Sequence, residues 1–153
     1  MCFMCEAIKE SAKNLATGDG GPFGAVIVKN KKIVGRGHNE VIKNNDPTCH
    51  GEVQAIRDAC RKLGTYDLSG CELYTSAYPC PMCLGAIIWA NIKTVYYGNT
   101  AKEADEIGFR DDFIYKFIEG GCQDAHILHL EQKDKEAAQK VFKEYKAKNM
   151  TIY

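Results

Sequence analysis

The chain has 153 residues, 45% of them hydrophobic, which is enough for one domain with a sizeable core and too few for two. Its 20 Lys and Arg residues balance its 20 Asp and Glu residues, so the formal net charge is zero. This balance argues against a protein that holds a nucleic-acid backbone by charge, and it favours a small, neutral or weakly polar partner.

The beginning of the chain does not read as a membrane or export signal. MCFMCEAIKESAKNL carries Glu and Lys and has no continuous apolar run, which argues against a signal peptide. No segment approaches the roughly 20 apolar residues that a membrane span needs. We therefore expect a cytoplasmic protein, in which most of the eight cysteines are reduced thiols and no disulfide framework forms.

The first half of the chain predicts a helix, a hairpin and a second helix. Apolar residues recur at helical spacing over residues 4–15, and the TGDGG cluster ends that helix. Two β-branched runs flank KNKK in FGAVIVKNKKIVGRGHN, which predicts a hairpin with Asn30 in a left-handed turn. HGEVQAIRDACRKLG predicts a helix that starts near Cys49 or His50 and ends at Gly64.

The second half alternates strands and helices. CELYTSA and TVYYGN predict strands, and PMCLGAIIWANI between them predicts a helix buried on both sides, with proline in its first turn. After the polar stretch around IGFRDDFIYKFI, AHILHL predicts a short strand, and residues 131–148 predict a solvated final helix. This order predicts one three-layer α/β/α domain over residues 1–153, built on a mixed sheet.

Cys80 and Cys83 stand two residues apart in AYPCPMC, a spacing used by redox pairs and by metal sites. A thioredoxin-type pair is expected near the first strand and helix and needs no histidine or carboxylate partner. Here the pair comes after a helix that begins with CHGE. His50, Cys80 and Cys83 together make a catalytic zinc set, in which three protein ligands leave the fourth position open. Both ligand groups fall at predicted helix N-termini, where the partial positive charge favours thiolate.

Glu52 follows His50 by two residues, so on a helix it points to another side of the axis and is not expected to be a ligand. It can reach a water at the open position, whose pKa zinc lowers toward about 7, and pass the proton to a leaving amine. H-x-E followed by P-C-x-x-C is the general signature of zinc deaminases, and it is present as HGE and PCPMC. The competing interpretations are a closed site with Cys49 as fourth ligand, or a chance CxxC in a core.

The sequence resembles the cytidine-deaminase-like superfamily and, within it, the bacterial guanine deaminases. The likeness covers nearly the whole chain, through GGPFGAVIVK, NDPTCHGEVQAIRDACRKLG, LYTSAYPCPMCLGAIIWA, GFRDDFIYK and TIY. The resemblance implies a five-stranded sheet with flanking helices and one catalytic Zn²⁺ per chain. It also implies a homodimer whose protomers exchange C-terminal segments, from about residue 131.

The same resemblance implies five contacts with substrate. Phe23 would pack against a flat base, Asn39 would hydrogen-bond one edge of it, and the Gly51 backbone N–H would meet a ring atom near the zinc. Asp111 and Tyr153 would recognise the far edge of a purine, with the C-terminal tail closing the pocket. Apart from the resemblance, Phe23 is typical of a core, Asp111 of a solvated loop and Tyr153 of a frayed end.

Two positions depart from the guanine deaminase pattern. Gly51 stands where that pattern usually has Ala, as in fungal cytosine deaminases, and Tyr78 stands where it usually has Glu. The missing carboxylate adjoins the loop that carries the thiolates, so the polar contacts there differ. We expect a hydrolase that converts guanine to xanthine and ammonia. The alternatives are deamination of guanosine, cytosine or an aminotriazine such as ammeline, deamination of adenosine in tRNA, which the neutral charge disfavours, and a zinc-stabilised binding module without turnover.

Overall fold

The computed structural model describes residues 1–153. The elements, in chain order, are α1 (Phe3–Thr17), β1 (Gly24–Lys29), β2 (Lys32–His38), α2 (Val41–Asn44), α3 (Gly51–Leu63), β3 (Glu72–Ala77), α4 (Pro81–Trp89), β4 (Thr94–Asn99), α5 (Ala101–Glu106), α6 (Asp112–Glu119) and α7 (Lys135–Ala147). The chain divides into two compact units, Met1–Tyr115 and Lys116–Tyr153. No helix combines the length and the apolar character that crossing a membrane requires.

The four strands form one mixed sheet in the order β2-β1-β3-β4. Strand β1 pairs antiparallel with both β2 and β3, whereas β3 pairs parallel with β4. The predicted α/β architecture with a mixed sheet is confirmed. The sheet has four strands, however, and not the five that the resemblance implied.

The predicted strand at AHILHL, residues 125–130, is wrong. The backbone N–H groups of Ile127 and Leu128 donate to the Asp124 carbonyl at 3.1 and 3.2 Å, and the N–H of His126 donates to the Asp124 side chain at 3.0 Å. Aspartate commonly offers the backbone such local partners in place of a sheet ladder. The turn at Asp124 therefore uses the donors that a strand would have given to a neighbour.

The predicted hairpin is present, and its turn needs two left-handed residues. Asn30 and Lys31 have φ values of 49° and 60°, and Lys29 pairs with Lys32 across the turn. A two-residue turn of this hand matches the twist of the flanking strands. The hairpin ends at His38, which places Asn39 directly after β2.

Strand β1 is buried on both faces, which explains its continuous apolar run. Val26 and Val28 pack with Ala7 of α1 on one face, whereas Ala25 and Ile27 belong to the larger core on the other face, together with residues of α3 and α4. This alternation follows from the period of two along a strand. The sheet thus lies between α1 and the pair α3 and α4.

Helix α3 lies unusually close to β2 because β2 carries glycine where the two meet. A Cβ atom on Gly37 would lie 2.4 Å from the Ala55 nitrogen and 2.5 Å from the Gly51 oxygen. A Cβ on Gly35 would lie 2.5 Å from the Ala55 oxygen. Any larger residue would push the helix outward, so these glycines allow α3 to lie this close to β2.

Helix α4 is not buried on both sides, contrary to the sequence prediction. Cys83 and Ile87, one helical turn apart, are buried, but Ile88 and Trp89 are 68% and 70% exposed. One side of α4 faces the core that it shares with α3. The opposite side has no second layer within the same unit, and its apolar residues therefore remain at the surface.

The second unit, Lys116–Tyr153, contains the final helix, which begins at Lys135 and not near residue 131. Its apolar residues Val141 and Phe142 are exposed. Six cysteines of the chain are free, as expected for most of them, and Cys2 and Cys5 form a disulfide across the first turn of α1.

Candidate active site

Two helix N-termini bring the candidate metal ligands together. His50 is the N-cap of α3, Cys80 is the N-cap of α4, and Cys83 lies in the first turn of α4. Pro81, whose fixed φ suits the first helical position, starts α4 directly after Cys80. Two short local motifs, each at the start of a helix, therefore build the ligand set.

The spacing of the three side chains fits one metal ion. The Cys80 and Cys83 sulfurs lie 3.5 and 3.6 Å from Nδ1 of His50, and the three ligand atoms all lie within 4.8 Å of one another. Ligand atoms around tetrahedral zinc, with bonds of about 2.0–2.3 Å, lie roughly 3.3–3.8 Å apart. One imidazole and two sulfurs at this separation fit one Zn²⁺.

The charges in the cluster also suit a cation. The neighbouring Cys83 thiol, together with the His50 contact, lowers the pKa of Cys80 to about 4. The contact with Cys80 and burial raise the pKa of Cys83. The Cys80 sulfur in turn raises the pKa of His50. The cluster therefore holds a thiolate whose negative charge a divalent ion would neutralise.

Cys49 does not join this cluster. Its sulfur lies 3.5 Å from the Arg57 guanidinium and 3.6 Å from the Asn44 amide nitrogen. The clustered ligand atoms come only from His50, Cys80 and Cys83. This arrangement favours a site with an open fourth position over the closed alternative.

Glu52 lies beside the ligand set and is buried, with 5% of its surface exposed. Its Oε1 atom accepts a hydrogen bond from the Thr75 hydroxyl at 2.6 Å. Its Oε2 atom lies 3.0 Å from the Cys83 sulfur, which donates to it. The carboxylate is thus positioned next to the metal ligands without being one of them, the arrangement that a proton carrier requires.

A cavity of about 560 Å³ opens onto this cluster, a volume typical of small-molecule sites. It brings together six of the predicted site residues, namely Phe23, Asn39, His50, Glu52, Cys80 and Asp111. The other three, Cys83, Gly51 and Tyr153, are not among the lining residues. The carboxylate beside the metal ligands therefore shares one cavity with three of the predicted substrate contacts.

Asn39 is held so that its amide nitrogen is the group able to donate to a ligand. Its Oδ1 accepts the Val41 N–H at 3.1 Å, its backbone N–H donates to the Phe23 carbonyl at 2.9 Å, and its backbone carbonyl accepts from the Asn14 amide at 2.9 Å. The Asn14 amide also donates to the Gly21 carbonyl at 2.6 Å. Asn14 of α1 thereby ties together the two segments that carry Phe23 and Asn39.

Aromatic rings form two walls of the cavity. Phe23 and Phe109 meet edge to face with their ring centroids 5.0 Å apart, and Gly21 leaves room for both rings. Tyr78, at the position that departs from the guanine deaminase pattern, lines the cavity and packs edge-on against Tyr97 at 5.1 Å. A flat aromatic ligand would find aromatic rings to stack on along the cavity wall.

Asp111 is an acidic residue of the cavity wall, close enough to Cys80 and His50 to interact with their charges. Burial raises its pKa above the usual aspartate value. Its backbone carbonyl accepts the N–H groups of Ile114 and Tyr115 at 3.0 and 3.3 Å. The Tyr115 hydroxyl donates to the Pro79 carbonyl at 2.7 Å, so the segment with Asp111 is tied to the loop that carries the thiolates.

Gly51 and Tyr153 occupy different environments from the other predicted residues. A Cβ atom at Gly51 would lie 3.0 Å from the Gly24 Cα and 3.2 Å from the Phe23 oxygen, which explains glycine at this position. Tyr153 belongs to the second unit and is 79% exposed. Their contacts with substrate stay predictions.

Sequence reasoning missed three polar residues that support the site, Asn14, Thr75 and Tyr115. Thr75 had a usable signal, because it is a polar residue in a strand that ends at the CxxC loop. Asn14 and Tyr115 had none, since each meets its partner only through the folded chain.

Comparison with known proteins identifies the family. Residues 2–99 match the model described as the cytidine and deoxycytidylate deaminase zinc-binding region. The chain belongs to this family. The matched range contains His50, Glu52, Cys80 and Cys83, which supports Zn²⁺ as the metal that this deaminase-family chain binds.

Two relatives show how far the likeness extends. This deaminase-family chain is 50% identical to guanine deaminase of Bacillus subtilis (strain 168) over 125 residues, which cover 82% of the chain and 80% of that protein. It is 40% identical to the tRNA-specific adenosine deaminase of Aquifex aeolicus (strain VF5) over 101 residues, 66% of each protein.

Two solved guanine deaminase structures are also similar to this chain. The X-ray structure of Bacillus subtilis guanine deaminase superposes with a TM-score of 0.90 at 44% identity, and the match covers 99% of this deaminase-family chain and 96% of the other chain. Guanine deaminase of Nitrosomonas europaea superposes with a TM-score of 0.66 at 32% identity, with 71% and 63% covered. The likeness to the Bacillus protein thus spans both units.

Proposed function

We propose that this protein is a zinc-dependent guanine deaminase, which converts guanine and water to xanthine and ammonia. The observation that carries the proposal is the one cavity in which His50, Cys80 and Glu52 lie beside Asn39 and Asp111. The 50% identity to a guanine deaminase supports guanine as the base.

His50, Cys80 and Cys83 would hold the zinc ion. When bound, zinc supplies a Lewis acid that makes a water molecule nucleophilic near neutral pH. The protein has to place the base and carry the protons. Its own residues can be assigned to both tasks.

Glu52 would move the protons. Deamination forms a bond between the water oxygen and C2 of guanine and breaks the bond from C2 to the exocyclic nitrogen. The Oε2 atom of Glu52, which faces the ligand set, would take a proton from the attacking water and deliver it to the departing nitrogen, which leaves as ammonia. Its other oxygen stays bonded to Thr75.

Asn39, Phe23 and Asp111 would place the base. The Asn39 amide nitrogen can donate to a ring nitrogen or oxygen, and the Phe23 ring offers a stacking face. The edge of guanine remote from C2 carries an imidazole N–H, which the Asp111 carboxylate can accept. These contacts would turn C2 toward the metal ligands.

The proposal is tested by ammonia release from protein of known zinc content. We expect turnover of guanine, with guanosine, adenine, cytosine, cytidine and ammeline as competitors. Turnover of another base without guanine would reject the substrate and keep the chemistry. No ammonia from any base, at one zinc per chain, would favour a binding module.

A second candidate, deamination of a different aminated ring, rests on Tyr78. This residue places a phenol on the cavity wall where guanine deaminases usually have a carboxylate. A changed hydrogen-bonding group next to the thiolates can change which ring is accepted. Ammeline and cytosine are therefore the informative competitors. A tRNA substrate is disfavoured by the zero net charge, and we expect no tight tRNA gel shift at physiological salt.

A homodimer with exchanged C-terminal segments remains part of the proposal. Each unit taken by itself exposes apolar side chains, Ile88 and Trp89 of α4 in the first and Val141 and Phe142 of α7 in the second. Clustered apolar residues at a surface commonly mark an interface. A second copy of the chain would cover both surfaces, and Tyr153 would then act in its partner's pocket.

Complementation tests the exchange. Glu52→Gln impairs the site of its own chain, whereas Tyr153→Ala would impair the site of the partner chain. If the two variants are co-expressed, each mixed dimer would therefore contain one intact site and one site with both changes. We expect the co-expressed pair to reach about a quarter of wild-type activity if Tyr153 acts across the dimer. Activity no higher than that of the separate variants would reject exchange. One deaminase domain over residues 1–153 and a cytoplasmic location stay predictions.

A further inference from the structure

Thr75 is a fully buried hydroxyl in the middle of the sheet, with 0% of its surface exposed. It lies on β3, where it pairs with Ala25 of β1 and Tyr97 of β4. Its Oγ1 atom lies 2.6 Å from Oε1 of Glu52 and 3.0 Å from the Ala77 carbonyl oxygen. Burying a hydroxyl in such a place costs free energy unless the hydroxyl is hydrogen-bonded.

The shorter of the two contacts identifies the acceptor. A hydroxyl has one proton, and both neighbours are oxygen acceptors when Glu52 is a carboxylate. Hydrogen bonds from a hydroxyl to a carboxylate are short, about 2.5–2.7 Å, and stronger than those to a neutral carbonyl. The 2.6 Å contact with Glu52 falls in that range. Thr75 therefore donates to Oε1.

This bond decides where the second oxygen of Glu52 lies. The terminal torsion of a glutamate is soft, so the carboxylate plane can rotate unless something holds it. Thr75 holds Oε1 at the strand, and Oε2 is thereby left 3.0 Å from the Cys83 sulfur. The Thr75 side chain is itself stiff because it is β-branched.

We propose that Thr75 is a positioning residue for deamination, which fixes the Glu52 carboxylate so that Oε2 faces the metal ligands. The inference rests on the proposed function, because it assumes that Glu52 carries the proton. Thr75 neither lines the cavity nor belongs to the candidate ligand cluster, so it would act through Glu52. Small displacements of such a group are costly, since misplacement by about 1 Å can reduce a rate about 100-fold.

The test compares Thr75→Val with Thr75→Ser. Valine keeps the shape and removes the donor, whereas serine keeps the donor. With guanine we expect Thr75→Val to lower kcat about 10- to 100-fold, with KM and zinc content unchanged. Thr75→Ser should stay within about threefold of wild type, because its hydroxyl restores the bond. An unchanged kcat in Thr75→Val, or an equal loss in both variants, would overturn the proposal.

A double-mutant cycle separates positioning from general damage to the fold. In a Glu52→Gln background, we expect Thr75→Val to cause no further fall in the residual rate, because both act on the same proton transfer. A further fall of the same size would show that Thr75 acts independently of Glu52. Thermal unfolding of all variants checks that each is folded.

A crystal structure of zinc-loaded Thr75→Val gives a readout that does not depend on turnover. We expect the Glu52 carboxylate to be rotated or disordered, with the zinc ligands unmoved. A Glu52 carboxylate in the wild-type position would overturn the proposal. If the wild type deaminates none of the bases, the proposed function fails, and this structural comparison still decides whether Thr75 orients Glu52.

Discussion

The metal side of the site (His50, Glu52, Cys80 and Cys83) and its substrate side (Asn39, Tyr78 and Asp111) differ in how far the fold already occupies their polar groups. On the metal side, both Glu52 oxygens have partners within 3.0 Å, and the ligand atoms come from helix starts. On the substrate side, Asn39 keeps a donor for a ligand, and Tyr78 is 40% exposed. The chemistry is therefore built into the fold, whereas the choice of base depends on a few groups at the wall.

The difference predicts two kinds of failure. Changes on the metal side should remove the metal or the proton transfer whatever the base. Changes on the substrate side should alter KM and base preference while zinc stays bound. The variants below test this division, from the largest expected effect to the smallest.

Cys83→Ala should have the largest effect, the loss of both zinc and turnover. Cys83 is buried and is one of the three proposed zinc ligands, and part of the affinity for a metal is folding energy. We expect zinc to raise the Tm of the wild type and to leave that of the variant unchanged, in scans with and without added zinc. Cys60→Ala, at a free cysteine outside the cluster, is the control and should keep one zinc per chain. Stoichiometric zinc in Cys83→Ala would contradict the ligand assignment.

Glu52→Gln should abolish proton transfer while zinc and fold remain. Glutamine keeps the size of the side chain and cannot take up the proton, so kcat should fall by about 10²–10⁴. Stopped-flow or ammonia assays at saturating guanine measure this loss, and metal analysis confirms the zinc. Glu106→Gln, at an exposed glutamate at the end of α5, should be neutral. A near-normal rate in Glu52→Gln would remove Glu52 from the mechanism.

The sequence predicts the metal side well because its signals are local. His50 and Glu52 lie within one helical turn, as do Cys80 and Cys83, and a helix start places such neighbours without help from distant residues. The hairpin turn at Asn30 is equally local. Such features need only the residues next to them, so their pattern is sufficient.

Features that depend on distant partners could not be predicted in the same way. Asn14 meets Asn39 across 25 positions of the chain, and no spacing rule joins them. The apolar sequence of α4 does not show that Ile88 and Trp89 are exposed at the surface of their unit. AHILHL has the composition of a strand, but the preceding Asp124 commits it to a turn. The missing information in each case is which other segment is adjacent.

Asp111→Asn should weaken binding of the base more than it slows the chemistry. The amide keeps the shape and loses the charge, and a lost hydrogen bond to a charged group corresponds to about 10- to 100-fold in KM for guanine. Ionised Asp111 is the acceptor, so KM should rise as the pH falls through the pKa of this residue. Burial raises that pKa, and the loss should begin at a higher pH than for an ordinary aspartate.

Two comparisons make the Asp111 prediction specific. The acid rise in KM should be absent from Asp111→Asn, which has no carboxyl group to titrate. Asp67→Asn, at an aspartate outside the cavity that accepts the Ser69 N–H at 3.0 Å, should keep the wild-type KM and its pH dependence. A kcat loss in Asp111→Asn as large as that of Glu52→Gln would mean that Asp111 serves the chemical step and does not mainly bind the base.

Tyr78→Glu should have the smallest effect, a shift in base preference without loss of zinc. It restores the carboxylate that guanine deaminases usually carry at a wall residue that is 40% exposed. A hydrogen bond between guanine and this carboxylate, at a partly solvent-exposed site, should raise the ratio of kcat/KM for guanine to kcat/KM for ammeline about two- to tenfold. Tyr78→Phe, which keeps the ring and its packing on Tyr97, should leave that ratio unchanged. If Tyr78→Phe changes the ratio as much as Tyr78→Glu, the phenol itself selects the base, and the departure at residue 78 marks a different preferred substrate.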